Sequence, residues 1–351
     1  MSYIAKPSVA HKRLEKNAHG LTVRDYEGSL STLCAGCGHD SITAAIIQAF
    51  WRLNIEPHRV VKLSGIGCSS KTPTYFLREA HGFNSVHGRM PSVATGAAAA
   101  NRELVYIGIS GDGDSLSIGL GQLCHAIRRN VNLTYVLENN GVYGLTKGQF
   151  SASADVGTKA KRGQVNRQQP IDPAMLALTL GATFVARSFS GDKAQLVPIL
   201  EAALRHRGFA LVDVISPCVT FNDHQGSTKS YMYTREHYHE VVEADLVPLR
   251  TPIETKQGEG EARQVRLHDG SLVTLRSVEP GYDPTDRDAA YLHLRKLAKA
   301  GEVATGLLYL EEGESDMHEM SNTSDTALVN VPFEELCPGQ DALQKLMNEF
   351  R

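Results

Sequence analysis

The chain has 351 residues, 42% of them hydrophobic and 21% charged, with a formal net charge of −3. That length fits one large α/β domain with an extension or two modest domains, and the charge argues against a general binder of nucleic acid or anionic membranes. No apolar run nears the roughly 18 residues that cross a bilayer, and the polar start, Met1 to Gly20 with His11-Lys12-Arg13, is not a secretory signal. The expected location is the cytoplasm, where thiols stay reduced. The six cysteines therefore suggest metal ligation or core positions rather than disulfides.

In chain order, residues 40–53 predict a helix capped by Asp40, with Ile42, Ala45, Ile46 and Phe50 on one face. Val60 to Leu63 is a short strand running into the loop Ser64 to Lys71. Val93 to Asn101 is an Ala-rich helix, and Leu104 to Ile109 an apolar strand that ends at Gly111-Asp112-Gly113-Asp114. A helix over Ser115 to Arg129 follows, then a strand over Leu133 to Leu137 ending at Asn139-Asn140-Gly141. Residues 144–172 form a long polar loop of the kind that is functional or mobile. Beyond it the pattern gives helix 173–180, strand 183–187, helix 193–206 and strand 209–215. Gln264 to Val278 predicts a hairpin about His268-Asp269-Gly270. Tyr291 to Ala300 predicts a helix, and the acidic stretch Glu311 to Glu319 a solvated loop. Alternating strands and helices indicate a doubly wound, mostly parallel sheet with a C-terminal extension.

The unusual residues fall at strand ends. Cys68, Asp112, Asn140 and Cys218 each come just after a predicted strand. In open parallel sheets ligands bind beyond the carboxyl ends of the strands. The first cluster is Gly111-Asp112-Gly113-Asp114 with Asn139-Asn140, and 25 residues lie between Gly113 and Asn139. A diphosphate held through Mg²⁺ needs hard oxygen ligands, which Asp112, the Asn140 amide and the Val142 carbonyl can give. The glycines let backbone approach phosphates, and a helix N-terminus favours anions. Gly-Asp-Gly alone fits a turn before a helix equally well; the second half at this spacing favours the site.

The second cluster is Cys34-Ala35-Gly36-Cys37 with Cys68 and Cys218. Such a set binds tetrahedral zinc or an iron–sulfur cluster, and thiolates alone do not separate the two. Cys124 and Cys337 read as small buried hydrophobes.

Taken together, the two clusters resemble the β subunits of 2-oxoacid:ferredoxin oxidoreductases. The matching stretches are Leu33 to His39, Ser64 to Ser69, His87-Gly88-Arg89, Gly111 to Asp114, Asn139 to Gln149 and Ser216-Pro217-Cys218. The resemblance implies a thiamine-diphosphate-binding domain over 25–240, after an N-terminal arm (1–24) and before an extension (241–351) that lies largely outside it. Cys34, Cys37, Cys68 and Cys218 would bind one 4Fe–4S cluster. Asp112, Asn140 and the Val142 carbonyl would hold Mg²⁺ and thiamine diphosphate, with Gly111, Gly113, Asp114 and Gly144 beside them. Ser69, His87, Arg89, Leu145 and Thr146 would line the cofactor and substrate pocket. The implied reaction is CoA-dependent oxidative decarboxylation of a 2-oxoacid with electrons passing to ferredoxin, reversible toward CO₂ fixation.

A glutamate to activate the aminopyrimidine cannot be placed in this chain. An α subunit should supply it, in an αβ or α2β2 assembly. Pro217 to Asn222 and Gly226 to Tyr231 look like the 2-oxoglutarate branch. Lys71 would then pair with the distal carboxylate, although a solvated lysine is the plainer reading. Two other classes stay open: a thiamine enzyme with a zinc site, and a non-enzymatic zinc-stabilised binding protein.

Overall fold

Val60-Val61-Lys62-Leu63-Ser64 and Phe209-Ala210-Leu211-Val212-Asp213-Val214-Ile215 are buried along their whole length. Strands covered on both faces read as continuous apolar runs, as a parallel sheet flanked by helices requires. The computed structural model describes residues 13–160, 163–247, 262–266, 272–277 and 281–350. In chain order these are α1 (Gly38–Arg52), β1 (Val60–Ser64), β2 (His81–Asn84), α2 (Met90–Ala100), β3 (Val105–Gly111), α3 (Leu120–Arg128) and β4 (Leu133–Asn139). Then come the short β5 (Val142–Tyr143) and β6 (Gln149–Phe150), α4 (Pro173–Thr179), β7 (Phe184–Phe189), α5 (Lys193–Arg205), β8 (Phe209–Ile215) and α6 (Tyr231–Glu236). The extension adds β9 (Tyr238–Val247), β10 (Ala262–Arg266), β11 (Leu272–Ser277), α7 (Arg287–Ala300), β12 (Val303–Leu310), α8 (Met317–Ser321), α9 (Phe333–Leu336) and α10 (Gly339–Glu349).

Ten strands form one sheet in the order β10-β11-β9-β12-β7-β8-β4-β3-β1-β2. The six from β7 to β2 are parallel. β12 then joins β7 antiparallel, and β9 runs parallel to β12. The mostly parallel α/β fold expected from the sequence is what forms, and the extension widens the same sheet. The expected boundary at residue 240 falls inside β9. None of the described helices is long and apolar enough to cross a membrane.

Several local expectations change. Residues 113–118 make a wide π-type turn before α3, so the helix expected from Ser115 is interrupted. The stretch 311–319 is not simply solvated. Asp316, Met317 and His318 are buried, and Arg207 bonds Asp316 at 2.9 Å and Glu319 at 2.5 Å. Its acids face an arginine of the body, which composition alone does not reveal. Cys337 is exposed and Cys124 half-buried, so neither is a core hydrophobe. The hairpin strands form as β10 and β11, while the turn His268-Asp269-Gly270 lies outside the described residues.

Candidate active site

Four parallel neighbours end together: β1 at Ser64, β3 at Gly111, β4 at Asn139 and β8 at Ile215. Register aligns these ends, since Ser64 pairs with Ile109, Gly111 with Glu138, and Asn139 with Ile215. Asp112 and Asn140 follow their strands directly, and Cys68 and Cys218 lie in the loops just beyond theirs.

At one side of this edge lies Asp112, 1% exposed. Its carboxylate accepts hydrogen bonds from Gly141 N–H (3.1 Å), Ser153 Oγ (2.6 Å) and Ser151 Oγ, with a longer one from Asn140 N–H (3.4 Å). Burial pushes its carboxyl above the usual range; the serines, the Asn140 N–H and the nearby Lys229 charge pull the other way. A buried carboxylate of this kind is relieved by a divalent cation. The Asn140 amide oxygen accepts from Val142 N–H at 3.0 Å, which fixes the turn carrying Asn140 and Val142.

Glycines beside Asp112 let neighbouring side chains pack close against the backbone. A Cβ on Gly111 would come within 3.0 Å of Ser69 Oγ, and one on Gly113 within 2.4 Å of the Tyr143 ring. Ser69 Oγ is buried without a hydrogen-bond partner. An orphaned hydroxyl facing a glycine cradle is what a bound diphosphate would satisfy. Asp114 does something else. It accepts from Gly88 N–H (2.7 Å) and Ser110 Oγ (2.8 Å), pinning the loop of His87 and Arg89 to the β3 end. Gly88 has φ +69°, and a Cβ there would lie 2.6 Å from the Gly119 nitrogen, so only glycine fits.

The other side gathers thiols. A Cβ on Gly144 would lie 3.4 Å from Cys68 Sγ and 3.6 Å from Cys218 Sγ, so those sulfurs are under about 7 Å apart. Thr220 Oγ1 reaches Cys34 Sγ at 3.6 Å. Gly38 lets α1 start against Ser216, whose Oγ would be 2.5 Å from a Cβ there. That contact sets Cys37 beside the Cys218 turn. Burial pushes the Cys37 thiol up to about 12, and the charges of Glu138, Cys218 and Cys68 add to it. Burial also raises Cys68, with Cys218 adding and the Lys71 charge opposing. Burial thus raises three thiols, Cys37, Cys68 and Cys218, around one place, and cations there would relieve them. A single tetrahedral zinc needs sulfurs about 3.8 Å apart. Among the described residues no three His, Cys, Asp or Glu side chains are grouped tightly enough to hold one ion. A cubane reaches four separate irons and tolerates the wider spacing, so the set fits a cluster better than zinc.

Sequence reasoning missed residues that tie the two sides together. Asn222, 1% exposed, donates to the Asn140 carbonyl at 2.7 Å, linking the Cys218 turn to the Asp112 side, and its own Oδ1 is unpartnered. Ser151 and Ser153 lie in a loop read only as polar. Glu138 is fully buried; Thr72 Oγ1 donates to both its oxygens at 3.1 Å, and His39 stands 3.6 Å away. Burial raises Glu138 well above the carboxylate range and lowers His39 to about 4. The His39 imidazole is therefore neutral at pH 7, and its contact with Glu138 is not an ion pair. Glutamate inside a strand carries no spacing signal that could have marked it.

At the rim, His87, Arg89, Leu145 and Thr146 are exposed and Lys71 is half-buried, one turn after Cys68 with its N–H on the Cys68 carbonyl. A cavity of about 240 Å³ is lined by Asn139, Ser153, Arg187, Asp213 and Lys229 but by neither Asp112 nor the cysteines. Five of its charges are paired internally, Arg187 with Asp172 and Asp213, and Lys229 with Asp155.

Residues 65–214 match the thiamine pyrophosphate enzyme C-terminal TPP-binding domain. The chain is 40% identical over 250 residues to the 2-oxoacid:ferredoxin oxidoreductase subunit beta of Saccharolobus solfataricus, covering 71% of this chain and 77% of that one. It is 45% identical over 191 residues to the 2-oxoglutarate oxidoreductase subunit KorB of Mycobacterium tuberculosis, covering 54% of this chain and about half, 51%, of that relative. A solved structure of 2-oxoglutarate:ferredoxin oxidoreductase from Magnetococcus marinus, with 2-oxoglutarate, coenzyme A and succinyl-CoA bound, is also similar. Its TM-score is 0.71 at 29% identity, over 89% of this chain and 92% of that chain.

Proposed function

The chain belongs to the β subunits of the 2-oxoacid:ferredoxin oxidoreductases, and on that premise we propose that it acts on 2-oxoglutarate, with coenzyme A as acyl acceptor and ferredoxin as electron acceptor. The observation that carries this reading is the meeting of an Asp112–Asn140 oxygen site and four thiols at one sheet edge, joined through Gly144 and Asn222. Thiamine diphosphate, when bound, supplies the electron sink on which a 2-oxoacid loses CO₂. One 4Fe–4S cluster on Cys34, Cys37, Cys68 and Cys218 supplies one-electron transfer.

The chain's own residues do the rest. Asp112, the Asn140 amide and the Val142 carbonyl hold Mg²⁺ and through it the diphosphate. Ser69 donates its hydroxyl to the diphosphate; Gly111 leaves that hydroxyl clear, Gly113 makes room for the Tyr143 ring, and Gly144 makes room for the Cys68 and Cys218 sulfurs. Leu145 and Thr146 shield the pocket mouth. His87 and Arg89, set by the Gly88–Asp114 pin, face the substrate. Lys71 offers its ammonium to the distal carboxylate. The α subunit implied by the family covers the half of the cofactor that this chain leaves open, and the assembly is αβ or α2β2. The KorB relative and the Magnetococcus marinus enzyme, both named for 2-oxoglutarate, favour that substrate.

The test is anaerobic purification of the αβ complex. Iron, sulfide and thiamine content should match one cluster and one cofactor per chain, and turnover with a panel of 2-oxoacids should favour 2-oxoglutarate. Cys218→Ser should lose iron, while Cys124→Ala keeps it. A colourless protein holding one zinc overturns the cluster. A preference for pyruvate overturns only the substrate.

A further inference from the structure

Every residue from Pro332 to Phe350 is exposed. Among the described residues, the hydrogen bonds of this segment stay inside it, as between Cys337 N–H and the Phe333 carbonyl, or Gln344 and Asn348. Its root is fixed. Ala327 is 2% exposed, and Asp325 pairs with Arg102.

The arm is nonetheless apolar on one side. Leu343, Leu346, Met347 and Phe350 follow the i, i+3, i+4, i+7 spacing of a single helical face, and are 48%, 52%, 47% and 84% exposed. Phe333 and Leu336 of α9 add 72% and 51% exposure. A helix of 11 residues is below the roughly 12–15 that persist alone in water. Six large apolar side chains in solvent mark an interaction surface.

Charge and size select the partner. Residues 333–350 carry Glu334, Glu335, Asp341 and Glu349 against Lys345 alone. Two copies of the arm laid together would set like charges face to face. A pair of such short helices also falls well short of the ~800 Å² per partner of a stable interface. We propose that the arm docks as a helix in an apolar groove rimmed by lysine or arginine on the α subunit. Arg102 precedes β3, and Arg207, which holds α8, precedes β8. The root therefore lies at the amino ends of the strands, opposite the ends that carry Asp112 and the cysteines. The arm gives the α subunit a second attachment away from the cofactor mouth. This rests on the family membership that makes the chain a β subunit, and not on any cofactor or substrate assignment.

Co-expressed αβ complex carrying Leu346→Glu with Met347→Glu tests it, alongside Glu334→Lys with Glu335→Lys. Both pairs are exposed, so thermal unfolding of the β chain should not move. The dissociation constant between α and β, read by mass photometry on dilution, should rise tenfold or more for each. Amides 339–350 should be protected from hydrogen exchange in the complex and not in the β chain alone. An unchanged dissociation constant, or fast exchange in the complex, overturns the proposal. So does a variant that loses β–β association while keeping α.

Discussion

At Asp112 the carboxylate has lost its water and is held by two hydroxyls and two backbone N–H groups. Replacing it with alanine removes the one charged oxygen from the proposed Mg²⁺ shell. Asp112→Ala in the αβ complex should weaken thiamine diphosphate binding by roughly 100-fold or more, about 2.7 kcal/mol. Calorimetry with cofactor and Mg²⁺ measures it, and unchanged affinity would reduce Gly111-Asp112-Gly113 to a structural turn. Lys71 belongs to the same scale. Its N–H bonds the Cys68 carbonyl, which places it one turn from the thiols. Losing one partner of a desolvated charge pair costs about 2–5 kcal/mol. Lys71→Met should cut kcat/KM for 2-oxoglutarate by about 30-fold or more at that magnitude, and pyruvate should lose far less. Equal losses would take Lys71 out of the specificity pocket.

Among the elements, those that place the site were legible because chemistry and period coincide there. β1, β3, β4 and β8 are apolar runs stopped by Gly, Asp, Asn or Cys, and each end was found within a few residues. β2 was not legible: its His81-Gly82-Phe83-Asn84 is wholly exposed, so no burial pattern marks it. β12 was missed because Gly306 interrupts it at a bulge, with φ +96° and a Cβ site 2.1 Å from the Val242 carbonyl. The serines that hold Asp112 were hidden in a loop whose composition says only that it is polar.

Lys62 in β1 is another residue whose role only packing reveals. It is 9% exposed and donates to the Phe76 and Leu77 carbonyls at 2.6 and 2.8 Å, where Leu77 has φ +43°. Burial lowers it from 10.5 to about 8. Between those values the unfolded chain holds a proton that the folded chain lacks, so stability rises with pH across pH 8 to 10.5. Below that window both states are protonated and the buried ammonium costs the fold in full. The melting temperature of the wild type should therefore climb relative to Lys62→Met as pH rises from 8 toward 10. Parallel curves would sink the assignment.

For the whole molecule, the sheet edge builds half of the proposed cofactor site and leaves the other half open. Ser69, Asp112 and Asn140 are buried, yet Leu145 is 51% exposed, and Val86 and Ile118, next to His87 and to Gly119, are 70% and 47% exposed. Ligand sites bury most of a drug-sized ligand's surface, and this chain alone cannot wrap one that lies on its rim. The partner missing from the sequence was inferred there from an absence, a glutamate that no position supplies; in the structure it becomes a surface. The β chain alone should thus retain the Mg²⁺–diphosphate contacts and lose the cover. Its affinity for thiamine diphosphate should be weaker than that of the αβ complex by roughly 100-fold or more, about 2.7 kcal/mol. Inorganic diphosphate with Mg²⁺, which needs no cover, should bind the two forms within about threefold, a difference of ~0.65 kcal/mol. Titrating both ligands into both forms separates the halves. Equal thiamine diphosphate affinity would mean that this chain closes its own site, and diphosphate binding lost without α would mean that the Asp112 side is assembled only in the complex.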